Sequence, residues 1–242
     1  MKILIIGYGK MGKMVEAMAV QQGHTIAAVV DAGDFWPRFD ENSLPDVAIE
    51  FTQPDSVVDN LRHCVEMGIP VVTGTTGWDN RKAEIQSFCK QKNGSVLFAS
   101  NFSIGVNMWF RMLKTVAADL ARFEEYSAQI EETHHINKVD KPSGTAITAA
   151  EILLSKMKKY SGWSLKNEED KLLIIAHRKQ NVTGTHSVKF TSASDEIELI
   201  HKAENREGFA KGALQAALWL CDKKGFFHYA DVFGEIFSID NK

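Results

Sequence analysis

The sequence is short of several things, and each shortage removes a class of function. Only three of its 242 residues are cysteine. Cys64, Cys89 and Cys221 lie far apart and form no metal-ligand spacing. That argues against a disulfide framework and predicts reduced thiols in a cytoplasmic protein. Net charge is also scarce, since 28 Lys and Arg against 31 Asp and Glu leave −3. Nothing in that balance draws in nucleic acid or an anionic membrane, so an anionic ligand must be held by local basic groups. No apolar run reaches membrane-spanning length, and residues 1–6 turn into glycines too early for a secretory signal. Internal repeats and low-complexity segments are absent too. What remains is ordinary globular composition, 44% apolar and 24% charged, enough for one large domain or two small ones.

The N-terminal stretch carries the first chemistry. Residues 2–6, an apolar run after Lys2, read as a strand buried on both faces of a parallel sheet. Gly7-Tyr8-Gly9-Lys10-Met11-Gly12 follows at once, then a helical pattern with Met11, Met14, Val15, Met18 and Ala19 on one side. Gly23 ends that helix, and a second apolar run, 26–30, stops at Asp31. Strand, glycine turn, helix, strand and acid in this order form the dinucleotide-binding fingerprint in its required context. The first glycine permits the turn, the second lets backbone approach a pyrophosphate, and the third lets helix pack on strand. Asp31 is placed to accept from ribose hydroxyls. It would repel a 2′-phosphate, and Ala32-Gly33 offers no adjacent base, so NADH is expected to be preferred. Lys10 or Arg38 could compensate and let NADPH bind. The rival readings are a ligand-free turn for the glycines and a turn-forming carboxylate for Asp31.

Residues 32–46 are too few for a helical crossover plus strand. Strands are expected at 47–51, 70–73 and 95–99, with helices at 55–67 and 79–92. All three strands end in small polar residues: Phe51-Thr52, then Gly74-Thr75-Thr76, then Ala99-Ser100-Asn101-Phe102. Ligands of doubly wound sheets bind at the strands' carboxyl ends, so Gly74, Thr75, Thr76 and residues 99–102 join the expected cofactor site. Ordinary turn chemistry is the alternative. From 103 the pattern changes to a long helix (103–122), a strand (128–135), a polar loop and a helix (146–159). An exposed connection follows at 160–171, then strands at 172–176, 185–190 and 196–201. A helix at 209–220 precedes an aromatic tail opening with Gly225-Phe226-Phe227. The fold class is therefore α/β: a Rossmann-type doubly wound parallel sheet plus an α+β part with one mixed sheet.

The second centre of chemistry is the joint at 131–146. His134, His135 and Lys138 precede Pro142, after which Ser143, Gly144 and Thr145 open a helix. A helix's first amides and its dipole favour an anion. Proton donors at one end of the loop and an anion cradle at the other suit a small carboxylate. For Ser143 and Thr145 helix capping is the rival reading, and for Lys138 a solvated loop lysine. His134, His135 and His186 do not suggest zinc, because adjacent strand histidines point to opposite faces. No metal is expected.

This joint resembles the 4-hydroxy-tetrahydrodipicolinate (dihydrodipicolinate) reductase family of lysine and diaminopimelate synthesis. Glu132, His134, Lys138, Asp140 and Pro142-Ser143-Gly144-Thr145-Ala146 match its signature in order and spacing. So do Gly7–Gly12, Phe51-Thr52, Gly74-Thr75-Thr76-Gly77, the run 99–106 and Gly184-Thr185-His186. Gln129, Gln53 and Gln180 depart from residues usual in the family. The resemblance implies a dinucleotide domain of 1–102 completed by 206–242, with a substrate and oligomerisation domain of 103–205 between hinges near Phe102 and Arg206. It also implies NAD(P)H-dependent reduction of a cyclic imine-dicarboxylate with loss of water, in a homotetramer. His134 would donate the proton and Lys138 hold substrate, while His135, Ser143, Gly144 and Thr145 take a carboxylate. Two other expectations stay open: an aspartate dehydrogenase-like enzyme with the same N-terminal fingerprint, and a non-catalytic NAD(P) sensor.

Overall fold

The computed structural model describes residues 1–40 and 42–238. Two compact units make up the chain: Met1–Ile104 with Glu207–Lys242, and Gly105–Arg206. Residues 239–242 lie outside the described part.

The first unit begins with β1 (Lys2–Ile6), α1 (Lys10–Gln21) and β2 (Thr25–Val30). It continues through β3 (Val47–Glu50), α2 (Pro54–Glu66), β4 (Val71–Thr73), α3 (Lys82–Gln91) and β5 (Ser95–Phe98). The expected helix at 79–92 is in fact a single 3₁₀ turn, Asp79–Arg81, followed by α3. The six-stranded sheet runs β11-β5-β4-β3-β1-β2, all parallel, where β11 is Gly225–His228. Alternation along the strands splits the core in two. Ile3, Ile5, Ile49, Val72 and Leu97 face α1, α6 (Glu207–Leu220) and α7 (Tyr229–Ile236). Leu4, Ile6, Ala48, Val71 and Val96 face α2 and α3. Both faces are buried, which is why β1 is apolar from Ile3 to Ile6, with only Lys2 exposed. The aromatic tail is more than a tail: Phe226 and Phe227 belong to the sixth strand, paired beside β5, and Tyr229 and Phe233 of α7 are buried.

The second unit holds α4 (Ile104–Leu120, from Gly105 on), β6 (Ser127–His134), α5 (Gly144–Lys156) and β7 (Gly162–Ser164). β8 (Lys171–Arg178), β9 (Gly184–Thr191) and β10 (Glu196–Ala203) complete it. The sheet order is β10-β9-β6-β8-β7, and it is mixed: β6 pairs β8 in parallel and β9 antiparallel. Trp109, Leu113, Ala149 and Leu153 of α4 and α5 bury one face against Ile130, Ile174, Val188 and Phe190. The stretch 160–171, expected as connection alone, contributes the edge strand β7 against β8. Three residues, Gly-Trp-Ser, carry no apolar run by which a sequence could reveal a strand.

Candidate active site

In the first unit the glycine turn is shaped by what cannot fit. A Cβ on Gly7 would lie 2.1 Å from the Phe51 carbonyl oxygen, and one on Gly12 would lie 2.1 Å from that of Gly7. At Gly9 nothing comes within 4 Å of a Cβ position, so the turn is open there. Gly9 is also the N-cap of α1 and brings no capping side chain, which leaves the first amides of α1 to an anion. Tyr8 N–H donates to Asp31 Oδ1 at 3.2 Å, fixing the exposed acid beside the turn, with Lys10 exposed and Met11 half-buried behind it. These residues could hold a dinucleotide, the turn taking a pyrophosphate and Asp31 a ribose.

The other expected cofactor residues divide. Gly74 and Thr76 remain accessible. Thr75 turns inward, its hydroxyl donating to Glu50 and accepting from Thr52 N–H at 2.8 Å. Ser100 is exposed, and Asn101 Oδ1 accepts from Ser103 N–H at 2.8 Å. Ala99 and Phe102 have core side chains, Phe102 stacking on Tyr229 with centroids 4.8 Å apart. Those two could offer a ligand only their backbone.

In the second unit the candidate catalytic groups lie on the buried face of β6. Ala128, Ile130, Glu132 and His134 alternate inward, so the apolar stripe turns polar towards the strand's end. Register then adds neighbours from far along the chain. Glu132 pairs with His186 of β9, and His134 with Arg178 of β8. Glu132 is the hub. Its carboxylate accepts Ser143 N–H at 3.1 and 3.2 Å, and Arg178 donates to Oε1 at 3.3 and 3.4 Å. His134 Nδ1 stands 3.4 Å from Oε2, and His186 Nε2 stands 3.8 Å away. Burial alone would raise Glu132's pKa, but the close approach and charge of His134 and the hydrogen bonds from Ser143 hold it at about 2. His186 is driven the other way from usual, down to about 3, by burial first and then by His134. It is a neutral imidazole at ordinary pH, its Nε2 3.2 Å from Ser143 Oγ.

Gly184 makes room for the His134 ring, since a Cβ there would lie 3.1 Å from Nε2. The loop after β6 is tied down by Arg178, whose Nε donates to the Lys138 carbonyl at 3.3 Å and whose Nη2 donates to that of Asp140. Lys138 Nζ pairs with Asp140 Oδ2 at 2.8 Å and is half-buried. Ser143 is the N-cap of α5, its hydroxyl accepting Ala146 N–H at 3.2 Å. With its own N–H given to Glu132, Ser143 is committed inside the protein, and exposed Gly144 and half-buried Thr145 form the accessible start of the helix. His135 lines a groove of about 610 Å³ with Asn137, Gln180, Thr183 and Arg206.

Sequence reasoning missed Arg178, and it gave Glu132 and His186 no role beyond matching letters. A glutamate on the apolar face of a strand was a legible signal for Glu132. Arg178 had none, and the place of His186 in the matched Gly184-Thr185-His186 does not say that it meets Glu132, because only strand pairing brings these two in. Glu132, His134 and His186 also lie with donor atoms within 4.8 Å of one another, close enough for a cation. Glu132 already serves Ser143 and Arg178, so the cluster is better suited to holding a proton. His135 stands outside it.

A glycine turn on a doubly wound sheet and an acid–base cluster on a mixed sheet define an NAD(P)H-dependent oxidoreductase. The comparisons with known proteins narrow that class. The family model for the N-terminus of dihydrodipicolinate reductase matches residues 1–102, and that for its C-terminus matches 105–233. The 4-hydroxy-tetrahydrodipicolinate reductase of Christiangramia forsetii is 42% identical over 240 residues, covering 98% of this chain and 100% of that one. That of Chromobacterium violaceum is 36% identical, covering 96% and 98%. The dipicolinate-bound dihydrodipicolinate reductase from Paenisporosarcina sp. TG-14 shares the fold with TM-score 0.78 at 22% identity, covering 96% of this chain and 99% of that one. The chain belongs to the dihydrodipicolinate reductase family. These matches support neither the aspartate dehydrogenase-like enzyme nor the sensor. Among the described residues no helix is long and apolar enough to cross a membrane.

Proposed function

We propose that this chain reduces (2S,4S)-4-hydroxy-2,3,4,5-tetrahydrodipicolinate to (S)-2,3,4,5-tetrahydrodipicolinate with loss of water, in lysine synthesis by way of diaminopimelate. The observation that carries it is the buried Glu132–His134–His186 cluster beside Lys138, built on the family's own signature. Bound NAD(P)H supplies the hydride for C4 of the substrate. His134 delivers the proton to the adjacent carbon. Glu132, 3.4 Å from Nδ1, orients the ring, leaving Nε2 on the Gly184 side for substrate. Lys138 pairs with a substrate carboxylate in exchange for Asp140 and assists departure of the 4-hydroxyl, which leaves as water with a proton lost from the adjacent carbon; hydride and the His134 proton then saturate the resulting double bond. The amides of Gly144 and Thr145 take a carboxylate with help from the α5 dipole, and His135 is a further contact.

NADH is the preferred cofactor in this reading. Asp31 N–H donates to Asp34 Oδ2 at 2.8 Å, so a second carboxylate lies beside Asp31 and would add to its repulsion of a 2′-phosphate. Cytoplasmic homotetramers are the assembly we propose, supported by exposed apolar side chains such as Ile200, 59% exposed, and Ile197 on β10. Purified protein, NADH and the fresh aldol product of pyruvate and aspartate semialdehyde test the reading. NADH should be consumed only with all three present. Folded protein that leaves both NADH and NADPH untouched refutes it.

A further inference from the structure

Glu50 ends β3 and is completely buried, yet nothing in the mechanism uses it. Its surroundings are built around it. The hydroxyls of Thr52, Thr73 and Thr75 all donate to its carboxylate, Thr73 at 2.5 Å and Thr75 at 2.9 and 3.1 Å. Each hydroxyl has one proton and spends it here. Their lone pairs take other donors: Thr75 Oγ1 accepts Thr52 N–H, Thr73 Oγ1 accepts Thr75 N–H at 3.3 Å, and Thr52 Oγ1 accepts Ser56 at 3.0 Å. Asn60 Nδ2 also donates to Thr52 Oγ1, at 3.3 Å. Proton directions therefore converge on one acceptor-only group. Burial pushes the Glu50 pKa up, and the three hydroxyls oppose the rise.

The next residues pack tightly against two glycines. A Cβ on Gly74 would lie 2.0 Å from the Phe51 ring, and one on Gly7 would meet Phe51 oxygen at 2.1 Å and Thr52 Cγ2 at 2.8 Å. Phe51 N–H donates to the Ile6 carbonyl and Gly74 N–H to that of Glu50, at 2.8 and 2.9 Å. The segment 51–52 is thus a spacer in contact with both glycine loops, and Glu50 is what pins it.

We propose that Glu50 is a positioning residue for the cofactor. Through Thr52, Thr73 and Thr75 it fixes the separation of the 51–54 and 74–77 loops, and through Phe51 it holds the Gly7 turn in the shape that binds NAD(P)H. This rests on the cofactor reading above.

The test measures NADH affinity by fluorescence, steady-state kinetics and thermal stability on the full chain. Glu50→Gln keeps the size but places two N–H donors in a ring whose hydroxyls are already donors. Thr73→Val removes one hydroxyl without change of shape, and Thr73→Ser keeps it. Glu50→Gln and Thr73→Val should raise Kd and KM for NADH about tenfold while kcat at saturating NADH stays within about threefold. Thr73→Ser should bind NADH like wild type. Val57→Ala, a cavity in the same unit, should lower Tm without touching NADH affinity. Folded Glu50→Gln with wild-type NADH affinity overturns the role. Should Glu50→Gln not fold, the Thr73 pair decides: equal affinities for Val and Ser overturn it. So does NADH weakening in Val57→Ala as large as in Thr73→Val. Wild-type protein that binds neither NADH nor NADPH overturns the cofactor reading itself.

Discussion

Replacing Glu132 by glutamine should cost stability in a way that depends on pH. The side chain keeps its size and stays hydrogen-bonded to Ser143, but its charge opposite Arg178 and His134 is lost. In the fold its pKa falls from the ordinary 4.5 to about 2. At 1.36 kcal/mol per pKa unit, that preference for the charged form corresponds to about 3 kcal/mol. Removing one member of a buried ion pair costs about 3–5 kcal/mol in general, so two routes agree. For a chain of this length about 3 kcal/mol is a drop in Tm of about 6–12 °C. The sign follows from the depressed pKa. The contribution is complete above about pH 4.5 and vanishes as pH falls towards 2. Urea unfolding of wild type and Glu132→Gln near pH 7, 4 and 3 should therefore show a gap that is large, then smaller, then smaller still. A gap under about 1 kcal/mol near pH 7, or one that does not shrink in acid, would show that Glu132 is not the charged hub.

His186 is lowered from 6.5 to about 3, so between those values it is neutral in the fold and protonated when unfolded. Wild-type stability should be complete above about pH 6.5 and fall by about 1.4 kcal/mol per pH unit below it, down to about pH 3. His186→Gln should flatten that slope in urea titrations, and parallel slopes would sink the assignment. His134→Gln should cut kcat by about 10²–10⁴-fold with NADH affinity unchanged, read by fluorescence; loss of NADH binding would contradict its role as proton donor. Lys138→Met should raise the KM for the dicarboxylate substrate more than that for NADH, and the reverse pattern would argue against a substrate contact. Gly12→Ala should abolish NADH binding, because its Cβ has no space beside the Gly7 carbonyl; a normal titration would disprove the packing argument.

Local physics made much of this protein legible before any coordinates. An apolar run ending in Gly7-Tyr8-Gly9 and another ending in Asp31 can be little else than buried parallel strands around a turn. The cap at Ser143 and the strand carrying Glu132 and His134 are likewise dictated by short-range spacing. β7 and β11 escaped because three or four residues at the start of a connection or a tail show no periodicity, and they become strands only when β8 or β5 presents a free edge. The active cluster divides along the same line. Glu132, His134, Lys138 and Ser143 lie within 12 residues of one another, and the sequence places them together. Arg178 and His186 reach them through the pairing of β8 and β9 with β6, which no local pattern encodes. That Thr75 and Ser143 point their polar groups inwards, at Glu50 and Glu132, was settled by tertiary burial: a buried carboxylate must collect donors, and the nearest hydroxyls and amides go to it instead of to a ligand.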